Sequence, residues 1–161
     1  MSDSLWDFIA LVIAIAVPLA AGGLGAIPTA SAIPTWYRGL KKPPWNPPDW
    51  IFAPTWTALY VLMGVAAWLV LRVGWDNPSV VLALILFAAQ LILNVLWSWI
   101  FFGLRSTGWA LAEIVVLWIA VLVTLIQFYS LSAAAGLLLV PYLLWVTFAT
   151  LLNATVRRLN R

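Results

Sequence analysis

The feature that most constrains the fold is a series of five apolar runs, each long enough to cross a lipid bilayer as an α-helix. They cover residues 5–27, 51–73, 79–102, 107–129 and 133–156. A bilayer requires about 20 apolar residues per spanning helix. Because 65% of the residues are hydrophobic and 8% are charged, little sequence remains for a soluble domain. We therefore predict an all-α integral membrane bundle of five transmembrane helices, forming one domain over residues 1–161.

The distribution of positive charge predicts the orientation of this bundle. Seven of the eight Lys and Arg residues lie on one predicted face, and Arg72 lies on the other. Positive loops generally stay in the cytoplasm, which places the loop 28–50 and the C-terminus there and the N-terminus outside. The excess of cations indicates contact with membrane lipid headgroups. No basic patch exceeds three residues, so a nucleic-acid partner is not expected.

A cleaved signal peptide is the alternative interpretation of the first run, because Ala30, Ser31 and Ala32 resemble a processing site. We favour a retained helix. The segment begins with the acidic residues Asp3 and Asp7, and its apolar run exceeds the roughly 7–15 residues of a signal-peptide core.

Cysteine and histidine are both absent from the chain. This composition excludes disulfides and thiolate catalysis, and it removes the usual protein ligands of zinc and haem iron. No metal site is predicted.

A stretch rich in tryptophan and proline, residues 36–60, joins the first two runs and contains four tryptophans and five prolines. Proline fixes the backbone φ angle and removes an amide donor. Residues 41–49 are therefore predicted to form an extended, stiff segment, and the loop 28–50 is predicted to cap the bundle.

Aromatic and amide side chains recur at helical spacing in four of the runs, so they share one face of each predicted helix. The four stripes are Trp56, Tyr60 and Gly64; Gln90, Asn94, Trp97 and Phe101; Trp109 and Glu113; and Tyr142, Trp145, Ala149 and Asn153. An amide in hydrocarbon is costly unless it is hydrogen-bonded, so the stripes should face the bundle interior.

The simplest arrangement that satisfies all four stripes is a shared cavity beneath the cap, with the cap as a lid that gates access. Such walls suit flat, largely apolar ligands with a few polar edges. Three other interpretations remain open: an interfacial belt of tryptophans, amides that serve only as hydrogen bonds between helices, and a solidly packed bundle.

Glu113 is the one carboxylate well inside a run. An isolated acid in that position is either neutral or paired, and Arg105 in the nearby loop is a candidate partner. Without a second carboxylate or a histidine, Glu113 is a poor general acid or base, and a structural or ligand-orienting role is favoured.

Four sequence segments resemble one known family. WYRGLKKPPWNPPDWIFAPTWTALYVLMG, QLILNVLWSWIFFG, GWALAE and VPYLLWVTFATLLN follow one another between Trp36 and Asn153. They are similar to the tryptophan-rich sensory protein family, also called the translocator protein or peripheral benzodiazepine receptor family. The resemblance implies a five-helix bundle, often a homodimer, whose central pocket binds porphyrins such as protoporphyrin IX or haem.

By the same resemblance, the family's ligand pocket falls on Tyr37, Trp56, Asn94, Trp97, Trp109, Trp145 and Ala149. The stripes add Tyr60, Gln90 and Tyr142 as candidate ligand-binding residues. Animal members of the family also bind cholesterol and synthetic drugs. The tyrosine of their cholesterol motif is replaced here by Ala154, which lowers the expectation of a sterol partner and suggests a bacterial-type member.

Two function classes follow from the resemblance. The first, which we favour, is a receptor, sensor or translocator for tetrapyrroles. The second is an enzyme that degrades bound protoporphyrin in light, for which Trp56 and Trp145 match the family's tryptophan pair and are the candidate catalytic residues. A proton-coupled transporter has less support, because Glu113 is the only embedded acid and no inverted repeat is visible.

Overall fold

The computed structural model describes residues 3–161, and these residues form a bundle of helices. The α-helices are α1 (Asp3–Ala32), α2 (Phe52–Leu71), α3 (Pro78–Ser98), α4 (Thr107–Leu131), α5 (Ala133–Leu138) and α6 (Val140–Leu159). Two π-helical segments, Ile33–Tyr37 and Trp99–Gly103, continue α1 and α3, and a 3-10 turn at Asp49–Ile51 leads into α2. Helices α5 and α6 together form the last span.

Within the described residues, five helical stretches are long and apolar enough to cross a membrane. They are Ser4–Tyr37, Asp49–Leu71, Pro78–Gly103, Thr107–Leu131 and Ala133–Leu159. The prediction of an all-α bundle with five transmembrane helices is confirmed.

The first span differs from the prediction, because the helix does not end near residue 27. It continues through Pro28 and Pro34 as far as Tyr37. Pro28 has no amide hydrogen to donate to the carbonyl of Leu24, four residues earlier. The indole Nε1 of Trp99 donates to that carbonyl instead, at 3.2 Å. A side chain from the π-helical segment after α3 thus replaces the hydrogen bond that the proline removes.

The non-helical part of the cap is consequently shorter than the predicted loop 28–50. Residues 40–48 have no helical structure and contain one turn, closed by the amide of Asn46 donating to the carbonyl of Pro43 at 3.0 Å. The four prolines of this segment account for its extended backbone. We call residues 40–48 the roof, because they cross the end of the bundle.

Helices α1 and α2 are antiparallel and pack closely at two glycines. A Cβ atom added to Gly64 would lie 2.4 Å from the Cα atom of Ile15, and one added to Gly22 would lie 2.3 Å from the Tyr60 ring. Such contacts require a residue without a side chain. The Gly64 site also faces the carbonyl oxygen of Ala14, which lacks its usual helical donor because residue 18 is proline.

At the end of the bundle opposite the roof, a polar contact joins the same two helices. The indole Nε1 of Trp68 donates to Oδ1 of Asp7 at 3.0 Å, and Nε of Arg72 lies 3.6 Å from the same oxygen. The Arg72 guanidinium also lies over the Trp68 ring, 4.9 Å from its centre. Asp7 is thereby neutralised where α1 meets α2.

The close approach of α1 and α2 predicts a position-specific effect of adding one methyl group. Gly64→Ala should lower the free energy of unfolding by about 1–3 kcal/mol, since the added Cβ atom meets backbone that is unable to move aside. Gly23→Ala in α1 is the matched control, because an added Cβ atom there meets nothing within 4 Å. Thermal unfolding in detergent micelles measures both, and equal melting temperatures would contradict the assigned packing.

Candidate ligand cavity beneath the roof

A cavity of about 430 Å³ lies inside the half of the bundle that is nearer the roof. Its volume falls in the range of about 300–1,000 Å³ that is usual for small-molecule sites. Four spans contribute to its lining: α1 with its π-helical extension, the start of α2, the end of α3, and α6. No residue of α4 or α5 belongs to the lining.

Aromatic rings form most of the cavity wall. The Trp56 and Trp145 rings are perpendicular with centres 6.3 Å apart, and Trp56 stacks on Tyr60 at 5.6 Å. Phe52 lies edge-on to Trp145 at 6.2 Å. The aromatic rings of α2 and α6 therefore contact one another between the two helix backbones.

One polar group on this wall has no partner. Nε1 of Trp145 is buried and forms no hydrogen bond within residues 3–161. A buried donor without an acceptor costs about 1–3 kcal/mol relative to a satisfied one. Trp145 belongs to the cavity lining, so this unpaired donor lies in a residue that borders the space for a ligand.

A chain of hydrogen bonds lies beneath the cavity and connects α2, α3 and α6. The Tyr60 hydroxyl donates to Oδ1 of Asn94 at 2.7 Å, and Nδ2 of Asn94 donates to the Tyr142 hydroxyl at 3.0 Å. The Tyr142 hydroxyl in turn donates to Oε1 of Gln90 at 2.8 Å. We call these four residues the floor. Its members are buried, and Gln90 is 0% exposed.

The roof is fastened to the helix ends on both sides. Asn46 accepts a hydrogen bond from the Tyr37 hydroxyl at 2.9 Å, and Nζ of Lys42 donates to the Tyr37 carbonyl at 2.6 Å. The amide of Lys41 donates to Oδ1 of Asn160 at 3.0 Å, while Nδ2 of Asn160 donates to the Lys41 carbonyl at 2.9 Å. Roof, α1 extension and α6 are therefore connected.

The structure brings most of the predicted site residues to one place. Six of them line the cavity: Tyr37, Trp56, Tyr60, Trp97, Trp145 and Ala149. Three others, Gln90, Asn94 and Tyr142, lie in the floor and are absent from the lining. For all nine residues, contact with a ligand stays a prediction.

Trp109 is the predicted site residue that lies elsewhere. It is in the first turn of α4, its side chain is 75% exposed, and it is absent from the cavity lining. Glu113 points into the bundle. Trp109 lies one turn earlier on the same stripe, but near the end of the helix its side chain extends outward. That position is typical of an interfacial tryptophan.

Glu113 is buried behind the lining, with 9% of its surface exposed, and neither carboxylate oxygen has a hydrogen-bond partner in the described part of the chain. The expected pairing with Arg105 is wrong. Arg105 is exposed in the turn before α4, and the ion pair found among residues 3–161 joins Asp7 to Arg72. Those residues also contain no group of three or more acidic side chains able to hold a metal ion.

The α1 wall of the cavity was not predicted from the sequence. Small residues on one face of α1 line it at helical spacing, and the lining residues there are Leu19, Gly22, Gly23, Gly25, Ala26, Thr29, Ala30 and Ile33. Small-residue spacing was visible in the sequence, but it predicts close helix packing as readily as a cavity wall. Phe52 and Phe148 were not predicted, although helical spacing could have found them: Phe52 lies one turn before Trp56, and Phe148 lies one turn after Trp145.

Comparison with known proteins gives consistent matches over most of the chain. Residues 14–159 match the sequence model of the TspO/MBR family. The chain is 45% identical to tryptophan-rich protein TspO of Chlorobaculum tepidum, over 96% of this chain and 98% of that protein. It is 43% identical to tryptophan-rich protein TspO of Archaeoglobus fulgidus, over 96% and 99%, and 43% identical to the translocator protein of Homo sapiens, over 78% and 75%.

The floor predicts that a single apolar substitution is more harmful than a paired one. Asn94→Leu leaves the buried Tyr60 hydroxyl without an acceptor, which should lower the free energy of unfolding by about 1–3 kcal/mol. The double variant Tyr60→Phe/Asn94→Leu removes donor and acceptor together and should recover part of that loss. Chemical denaturation of the purified protein measures both, and a double variant less stable than Asn94→Leu would refute the proposed pairing.

The attachment of the roof to α6 predicts its local dynamics. Asn160→Ala removes both hydrogen bonds to Lys41, so amide hydrogen exchange in residues 40–46 should become about tenfold faster, since each bond contributes about 0.5–1.5 kcal/mol. Exchange is followed by mass spectrometry. Arg158→Ala is the matched control. This exposed side chain is less than one helical turn from Asn160, and its removal should leave amide exchange in the roof unchanged.

Proposed function

Since this chain belongs to the TspO/MBR family, we propose that it is a membrane receptor or translocator that binds porphyrins in the cavity beneath the roof. The observation that carries the proposal is an aromatic cavity of about 430 Å³ whose lining includes Trp145, a residue with a buried and unpaired donor, Nε1.

The shape of the wall supports a flat ligand. Trp56, Trp97 and Trp145 come from three different spans and present indole rings to the same space. A planar macrocycle can contact such rings face-on or edge-on, and each aromatic contact contributes about 0.5–1.5 kcal/mol beyond the burial of apolar surface.

The polar groups support a ligand with acceptors at its edge. The apolar walls would bury the macrocycle, whereas the Trp145 indole would donate to a ring nitrogen or a carboxylate oxygen. The porphyrin carboxylates are expected to point toward the roof, because that end of the bundle carries seven of the eight cations. We propose that this end faces the cytoplasm, following the positive-inside rule.

Receptor function rests on the connection between ligand and roof. Tyr37 both lines the cavity and bonds to Asn46 in the roof. A ligand that contacts Tyr37 would therefore change the stability of a surface segment, and a partner protein or the membrane surface could respond to that change. A binding event inside the membrane would thus be detectable outside it.

The proposal predicts selective loss of porphyrin affinity in Trp145→Phe. This change keeps an aromatic ring but removes the donor, so the dissociation constant for protoporphyrin IX should rise about two- to tenfold, matching a hydrogen bond of about 0.5–1.5 kcal/mol. Calorimetric titration in nanodiscs provides the measurement. Trp109→Phe is the matched control, since Trp109 lies outside the cavity lining, and its affinity should not change.

Two further measurements in the same samples sharpen the test. Pyrene is flat and apolar but has no acceptor, so Trp145→Phe should lower its affinity less than it lowers that of protoporphyrin IX. Equal affinity of protoporphyrin IX for the parent protein and both variants would overturn the proposed site. Illumination in air distinguishes the enzymatic alternative, which requires the bound porphyrin to be converted to a new product only when Trp56 and Trp145 are both present.

A further inference from the structure

The cavity is bordered on its membrane side by residues that are themselves exposed. On α1 they lie at intervals of four, three and four residues, and on α2 at an interval of four, so each set forms one edge of a helix. The residues that both line the cavity and are exposed are Leu19, Gly23, Ala26 and Ala30 on α1 and Ala53 and Thr57 on α2. We call the space between these two edges the slot.

The packing of α1 against α2 sets the register of the slot. Gly22 lies against Tyr60, and the helices are antiparallel, so Ala26 is level with Thr57 and Ala30 is level with Ala53. All four side chains are small. At Gly23 an added Cβ atom would meet nothing within 4 Å, so this edge is open. Beyond this point the two helices are in close contact, at Gly22 and Gly64.

The roof is the other boundary through which a ligand could pass, and it is attached to the helix ends on both sides. Tyr37, Asn46, Lys41 and Asn160 hold it by the hydrogen bonds described above. The Trp45 ring also lies edge-on to Phe148 at 5.8 Å. Moving the roof would break these contacts together, and its prolines restrict the alternative backbone conformations. Opening the slot requires the small side chains of Ala26, Ala30, Ala53 and Thr57 to separate, while the close contacts at Gly22 and Gly64 stay in place.

We infer that the porphyrin enters and leaves the cavity sideways, from the acyl layer of the membrane, through the slot between α1 and α2. This inference rests on the proposed function, because it concerns the route of the ligand proposed there. It replaces the expectation that the roof gates access. The roof then closes the cavity toward water, while an apolar ligand reaches the cavity without leaving the bilayer.

Site-directed crosslinking can test the route, since the chain has no cysteine of its own. The variant Ala30→Cys/Ala53→Cys is loaded with protoporphyrin IX and then joined across the slot with a short bis-maleimide that contains a cleavable disulfide. Loading first ensures that the linker does not take the ligand's place. Release is followed by porphyrin fluorescence after mixing with empty phosphatidylcholine vesicles. The matched variant Lys41→Cys/Asn160→Cys is treated identically and locks the roof to α6.

Crosslinking the slot should slow release at least tenfold, and cleaving the linker should restore the original rate. Crosslinking the roof should change the rate less than twofold. The inference is overturned if the roof crosslink slows release and the slot crosslink does not, or if neither does. Failure of the uncrosslinked variants and the parent protein to retain protoporphyrin IX would instead overturn the proposed function, and the inference with it.

Discussion

The hydrogen-bond chain of the floor is the interaction on which the rest of the structure depends. Tyr60, Asn94, Tyr142 and Gln90 come from three helices and pair with one another in the buried interior. In lipid, a polar group without a partner is costly, so these helices are fixed in mutual rotation by the need to keep the chain intact. Above the floor, the same rotation turns Trp56 and Trp145 toward each other, and both rings border the cavity.

The parts of this arrangement that were predicted are those in which a residue type repeats at helical spacing. Amide and aromatic residues at spacings of three and four identified the inward faces of α2, α3 and α6, and the structure places those faces around one cavity and its floor. Length and hydropathy were sufficient for the five spans, because a bilayer sets the minimum length of each helix. The resemblance to a known family, now supported over most of the chain, rested on the same residues.

The features that were not predicted depend on contacts between distant residues. Pro28 normally indicates a helix end, but α1 continues past it, and the indole of Trp99, far along the chain, supplies the donor that the proline lacks. Periodicity also fails at helix ends: Trp109 shares a stripe with the buried Glu113 yet lies outside, since a side chain in a first turn has less of the bundle beside it. The α1 wall consists of small residues, whose pattern does not distinguish a cavity from a tight interface.

The length of the first span has a consequence for the depth of the site. Ser4–Tyr37 contains 34 residues, which at about 1.5 Å per residue gives roughly 50 Å, well beyond a hydrocarbon thickness of about 30 Å. Tilt absorbs part of the excess. If the remainder lies at the Tyr37 end, Tyr37 and the roof are level with the lipid phosphates and carbonyls. An amphiphile dissolved in one leaflet already lies with its charged groups at that depth and its ring system below. It would reach the slot between α1 and α2 in the orientation that it adopts once bound, without having to turn over.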